Sequence, residues 1–198
     1  MKKFLIFTSL ICICMIGNAE KITRTDSFKD GESKFGFETT ATKKNSVNLD
    51  GEYLVISSKK GDYKSCTRFP VIARKNFKIS YKLLFPKLDD KHIFGLVFNY
   101  DEDEDKGDIL YITENMFYAC DADGDKLGKK EKIKLKKGKN LEVNVVIEKK
   151  GDNTLISING VDYENPDFQF KTSYMGFYVN EDNTLKVDEI KITQYVED

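Results

Sequence analysis

The stretch NFKISYKLLF (76–85) alternates. Phe77, Ile79, Tyr81, Leu83 and Phe85 share one parity, and Lys78, Ser80, Lys82 and Leu84 occupy the other. A period of two puts alternate residues on opposite faces of an extended strand, one buried and one wet. The pattern recurs downstream. Leu141, Val143, Val145 and Ile147 alternate with Glu142, Asn144, Val146 and Glu148, and Ile133 and Leu135 alternate with Lys132, Lys134 and Lys136. IFGLVFNY (93–100) is apolar at both parities, which predicts a central strand covered on both sides. Leu185 and Val187 share one parity while Ile190 and Ile192 share the other. A bulge near Asp188-Glu189 restores a single core face.

Turn signals punctuate these runs: Asp50-Gly51, Lys60-Gly61, Asp123-Gly124, Lys137-Gly138, Gly151-Asp152 and Asn159-Gly160. Asn159-Gly160, between Ile156/Ile158 and Val161/Tyr163, predicts a two-residue hairpin, because a type I′ turn needs positive φ at both central positions. Many short, evenly spaced strands imply an all-β sandwich or barrel. No run has the period or length of a three-turn helix, and no repeat or linker divides the chain.

The N-terminus has a different character. Lys2 and Lys3 precede an apolar run from Phe4 to Ile16, and Gly17-Asn18-Ala19 puts small residues before Glu20. This is the pattern of a signal peptide over residues 1–19, which leaves residues 20–198 as one domain, secreted or periplasmic. Cys12 and Cys14 lie in the run but follow Ile rather than a small residue, which argues against a lipid anchor. No later run approaches the ~18 apolar residues of a membrane span, so no transmembrane segment is expected after cleavage.

With 32 basic and 33 acidic residues the formal charge is −1, and loss of Lys2 and Lys3 makes it more negative. That balance excludes a nucleic-acid binder held by phosphate neutralisation. Cys66 and Cys120 are the two cysteines beyond the leader. A disulfide between them would contribute roughly 4 kcal/mol in the loop-entropy model; the alternative is two thiols in separate strands.

Candidate chemistry is sparse. His92 is the sole histidine and is expected in a solvated loop, without partners for a zinc site. No Gly-x-Ser-x-Gly and no phosphate-binding glycine loop occurs. Asp101-Glu102-Asp103-Glu104-Asp105 is acidic at every position, so it reads as an exposed loop that repels itself or holds a cation. Asp121-Ala122-Asp123-Gly124-Asp125 begins like a Ca²⁺ loop, but Lys126 and Lys132 stand where the glycine and the bidentate glutamate belong. Asp101, Asp103, Asp121, Asp123 and Asp125 are therefore the Ca²⁺ candidates, against a plain hairpin turn, and no other cofactor is expected. Lys126 to Lys139 holds eight lysines, which read as the wet side of a protected edge strand or, secondarily, as a polyanion site.

The order and spacing of NFKISYKLLF (76–85), IFGLVFNY (93–100), LKKGKNLEVNVVIEKKGDNTLISING (135–160), YMGFYVN (174–180) and LKVDEIKI (185–192) resemble a concanavalin A-like lectin/glucanase domain of the laminin-G-like form. TDSFKD (25–30) and EYLVIS (52–57) fit its N-terminal strands. The resemblance implies a two-sheet antiparallel jelly-roll sandwich. Its members include sugar-binding lectin domains, modules of glycan-degrading enzymes, glycoside hydrolases and a keto-disaccharide hydrolase-like group, so the site must decide the function.

Two expectations follow. The first is a non-enzymatic binding module for a glycan or a cell-surface protein, with no catalytic residue. Sugar binding needs exposed aromatic rings, and Trp is absent while ten Tyr are present. By the resemblance, Tyr100, Tyr111 and Tyr118 fall on or beside the concave sheet. The second is a glycoside or keto-disaccharide hydrolase-like enzyme, which needs two inward carboxylates; Asp108, Glu114 and Asp121 are the acids available to it.

Overall fold

The computed structural model describes residues 20–89, 91–133, 135, 138–164 and 168–196. The expected leader, residues 1–19, lies outside them, as do Lys134, Lys136 and Lys137 of the lysine-rich stretch. In chain order the strands are β1 (Glu20–Asp26), β2 (Thr40–Ala41), β3 (Asn45–Leu49), β4 (Leu54–Ser58) and β5 (Tyr63–Arg68). Next come β6 (Phe77–Leu88), β7 (Phe94–Asp101), β8 (Lys106–Ile112), β9 (Met116–Cys120) and β10 (Lys126–Lys132). Last are β11 (Gly138–Lys150), β12 (Asn153–Ile158), β13 (Val161–Glu164), β14 (Tyr174–Val179) and β15 (Asn183–Val196). No helix occurs among the described residues, and none is therefore long and apolar enough to cross a membrane.

The strands form two antiparallel sheets. The larger runs β13-β12-β11-β6-β15-β4-β3-β2, with β1 also on β15; the smaller runs β10-β9-β8-β7-β14-β5. The decisive alternation works as its chemistry requires. Phe77, Ile79, Tyr81, Leu83 and Phe85 of β6 are buried at 2% exposure or less and face the second sheet. There they meet Phe94, Leu96 and Phe98 of β7 and Met175, Phe177 and Val179 of β14. Phe85 stacks on Phe94 at 4.0 Å between centroids, and Tyr81 meets Phe177 edge-on at 5.8 Å. Each such aromatic pair adds about 0.5–1.5 kcal/mol beyond its area burial.

Three local expectations have direct counterparts. Asn159 (φ 51°) and Gly160 (φ 80°) make the turn between β12 and β13. The register of β15 against β6 slips between Val187 and Glu189, so Leu185, Val187, Ile190 and Ile192 are all buried. β10 is an edge strand, and its lysines leave that edge charged.

His92 departs from expectation. It is 9% exposed rather than solvated, and its Nδ1 contacts Asp89 Oδ1. Asp89 also accepts the backbone N–H of Lys91 and of His92, which folds the turn and tucks the ring against the sandwich. The hydrogen bond from His92, with Lys87 and the Lys91 amide, holds the Asp89 carboxyl well below the usual range.

Candidate functional site

The outer face of the six-stranded sheet carries the aromatic side chains. On β14, Met175, Phe177 and Val179 turn inward, so Tyr174, Gly176 and Tyr178 turn outward. Registry then builds a row across the strands: Lys64 pairs with Tyr178, Tyr178 with Gly95, Gly95 with Tyr111, and Tyr111 with Tyr118. Gly95 is the gap in this row. A Cβ there would lie 2.7 Å from Ile109 Cγ2 and 3.1 Å from Tyr178 Cβ. Without one, Tyr178 and Tyr111 close over β7, edge to face at 5.2 Å. Tyr111 and Tyr118 lie 5.1 Å apart with a 30° tilt, and the Lys130 ammonium sits 4.4 Å from the Tyr118 ring centre. Tyr178 is buried, whereas Tyr111 and Tyr118 are half-buried.

Tyr100 reaches the same face by a different device. Phe94, Leu96 and Phe98 point inward, and unbroken alternation would send Tyr100 inward as well. The β7–β8 register slips after Phe98, and Asn99 takes φ 52°, a conformation Asn tolerates. The Asn99 amide anchors the bulge: it donates to Asp108 Oδ2 and Gln169 O, and accepts from the Lys171 and Thr172 amides. Tyr100 therefore packs beside Val97, Ile109 and Tyr178 on the outer side. Its hydroxyl donates to Asp105 Oδ1 at 2.8 Å, and Lys64 Nζ donates to the Asp105 carbonyl at 2.6 Å. With Tyr174, Lys64 and Arg68 it lines an open groove of 460 Å³ along β5. Arg68 covers the Tyr174 ring at 5.0 Å.

Of the three tyrosines singled out by sequence, Tyr111 and Tyr118 are thus neighbours in the row, and Tyr100 belongs to the adjoining groove. Sequence reasoning missed Tyr178, Tyr174 and Gly95. The signal was present in YMGFYV, where both tyrosines share the parity opposite to the core residues. What was missing was that β14 lies between β7 and β5.

The two cysteines share this face. Cys66 pairs with Gly176, Gly176 with Val97, Val97 with Ile109, and Ile109 with Cys120. Four strand spacings separate them, roughly 19 Å at ~4.8 Å each, far beyond the ~7 Å a disulfide spans. Both are free thiols, so of the two sequence alternatives the structure takes the unbridged one.

The acidic loops fold as capped turns. Asp101 Oδ1 accepts the amides of Asp103 and Glu104, and Asp121 Oδ1 accepts those of Asp123 and Asp125. Lys106 lies between the loops, 3.0 Å from Asp123 and 3.8 Å from Glu104. Among the described residues no group of three or more His, Cys, Asp or Glu is placed to hold a metal ion. Of the carboxylates considered for hydrolysis, Asp108 and Asp121 adjoin at the end of the β8–β9 ladder where Ile109 pairs with Cys120, and Glu114 lies at the other end. Asp108 has the inward parity of its partner Phe98 and is hydrogen-bonded to Asn99. Glu114 is buried beyond the far end of β8, and Asp121 is committed to its turn.

Burial keeps the phenols protonated. It pushes Tyr111 up to about 12, with lesser contributions from Cys120, Tyr118 and Asp62. Burial, followed by a hydrogen bond to Asp62, raises Tyr178 further, and burial alone raises the fully enclosed Tyr81. A phenol whose folded-state pKa exceeds its unfolded value near 10 contributes stability that is complete below that value and lost as pH rises above it. The urea midpoint is therefore expected to hold from pH ~8 to ~9.5 and fall steadily by pH ~11. A midpoint unchanged across that range would contradict the burial of these rings.

No family model matches this chain, and no curated protein matches it. Solved structures share its architecture. The carbohydrate-binding module CBM66 from Bacillus subtilis superposes with a TM-score of 0.51 at 14% identity over 81% of this chain and 93% of that one. A galectin-like protein of unknown function from Bacillus subtilis superposes with a TM-score of 0.57 at 8% identity, covering 89% of this chain and 90% of that one. The xylan β-1,4-xylosidase from Bacillus halodurans C-125 gives 0.54 at 12% identity over 85% of this chain. The chain spans only 38% of that enzyme's length. At these identities the likeness establishes the fold, an antiparallel jelly-roll sandwich.

Proposed function

We propose that residues 20–198 form a single concanavalin A-like carbohydrate-binding module, exported by the leader at residues 1–19 to the periplasm or the exterior. The observation that carries this reading is the pair Tyr111 and Tyr118, backed by the buried Tyr178, on the outer face of the six-stranded sheet. Rings held by their neighbours lose little freedom when a sugar's C–H face stacks on them, and protonated hydroxyls donate to its oxygens. The architecture shared with a carbohydrate-binding module of nearly equal length supports the same reading.

Hydrolysis by the same fold is the alternative, and it needs two carboxylates about 5–10 Å apart across a cleft. Asp108 and Asp121 are each engaged in structural hydrogen bonds, which favours binding over catalysis. The test is a glycan array probed with the protein lacking residues 1–19. Binding above background that is lost in Tyr111→Ala supports the module. Silence across plant, bacterial and host glycans contradicts it, and release of reducing ends from a bound glycan would replace it with the hydrolase.

A further inference from the structure

The tyrosine row does not end at Tyr118. The next strand, β10, adds charge to the same face. Lys126 pairs with Cys120 and Lys132 with Met116, so both take the outward parity of their partners. The register slips between Leu127 and Glu131, and within that slip Lys130 folds over the Tyr118 ring. Lys126, Lys130 and Lys132 thus lie on the side of β10 next to the aromatic row, while Glu131 pairs with inward-facing Phe117 and takes the other face. Lys126 and Lys130 also act on Cys120: burial raises its thiol, the two lysines pull it back, and Asp121 and Asp125 oppose them. Asp121 is held by its own turn, and Asp62, the acid acting on Tyr178 and Tyr111, stands at the opposite end of the row.

Edge protection explains lysines on β10, but it does not require them on the side next to the tyrosines. An ammonium above a ring also leaves the cation accessible, since the ring offers no counter-charge. Tyrosines that take sugar faces, ending at three lysines, match a chain of sugar rings bearing carboxylate or sulfate groups.

We propose that the ligand of this face is an anionic glycan, stacked on Tyr111 and Tyr118 and paired through its acid groups with Lys126, Lys130 and Lys132. This rests on the carbohydrate-binding reading above and narrows it.

The test is affinity electrophoresis and titration calorimetry of the protein lacking residues 1–19. The probes are dextran, dextran sulfate of matched length, and polygalacturonate. A triple variant, Lys126→Gln, Lys130→Gln and Lys132→Gln, is compared with Tyr111→Ala, with circular dichroism confirming that both fold. The expected result is binding to at least one anionic probe, weakened tenfold or more by either variant, and falling with added salt. Tyr111-dependent binding of neutral glycans that ignores the triple variant overturns the anionic proposal and leaves the module intact. Polyanion binding unaffected by Tyr111→Ala, or equal binding to phosphatidylserine vesicles, overturns the proposal in favour of a charged surface with no sugar specificity. No binding to any glycan, neutral or anionic, overturns both.

Discussion

Gly176→Ala is expected to destabilise the fold by about 3 kcal/mol or more, at the upper end of what overpacking costs. Gly176 sits in β14 between Cys66 of β5 and Val97 of β7. A Cβ placed there would lie 2.0 Å from the Ser65 carbonyl oxygen and 2.6 Å from Cys66 Cα. These are backbone atoms, so no side-chain rotation relieves the clash, and β5 must move away. β5 is an edge strand whose one strand partner in the sheet is β14, so it gives way before the core does. The effect therefore has two parts. The urea midpoint drops, and the groove lined by Lys64, Arg68, Tyr100 and Tyr174 loses one wall. Amide exchange should show β5 losing protection before β6 or β11. A variant as stable as the parent protein would mean that β5 does not approach β14 this closely.

Tyr111→Ala is expected to weaken carbohydrate binding by one to two orders of magnitude, about 1.4–2.8 kcal/mol. Tyr111 is the middle ring of the row. It packs edge-on against Tyr178 and is tilted against Tyr118, so its loss removes one contact surface and loosens two others. Truncation of a central aromatic anchor commonly costs ~2 kcal/mol or more. Tyr111→Phe separates the ring from the hydroxyl and should retain most of the affinity, with a loss of about 1 kcal/mol for one hydrogen bond. The fold should survive both changes, because Tyr111 packs in the small outer cluster with Val97, Ile109 and Tyr178, outside the inter-sheet core. Equal binding by parent and Tyr111→Ala proteins would remove the tyrosine row from the site.

Period-two patterning was enough to read the strands of the larger sheet, because one face of β6 and β11 is buried and the other wet. It read the bulge in β15 for the same reason: a slip of one residue would put Ile190 and Ile192 in water. The site was only partly legible. Tyr111 and Tyr118 emerged from the resemblance, which sets them on or beside one sheet, and their strands are consecutive in the chain. Tyr178 joins them through a strand some sixty residues away in sequence, and alternation within one strand carries no information about its neighbours. Tyr100 lands outside only because Asn99 interrupts the alternation, and the four hydrogen bonds that hold Asn99 are set by the tertiary fold. His92 was misjudged for a related reason. A histidine in a turn looks solvated until its contact with Asp89 is known. The cysteine pairing was undecidable by counting, since sharing a compartment says nothing of the four strand spacings between them.

The central claim is that the outer face of the six-stranded sheet, through its tyrosine row, is where this protein meets a carbohydrate. The chain has ten tyrosines and no tryptophan, so its tyrosine ring resonances can be followed free of indole signals. An NMR titration of those rings with the tightest-binding glycan tests the claim directly. The account predicts that Tyr111, Tyr118 and Tyr178 shift together and saturably, while Tyr53, in the turn before β4 beside Lys186, stays unmoved. Shifts confined to Tyr53, or saturable binding that leaves the three row tyrosines untouched, would place the site elsewhere and contradict it.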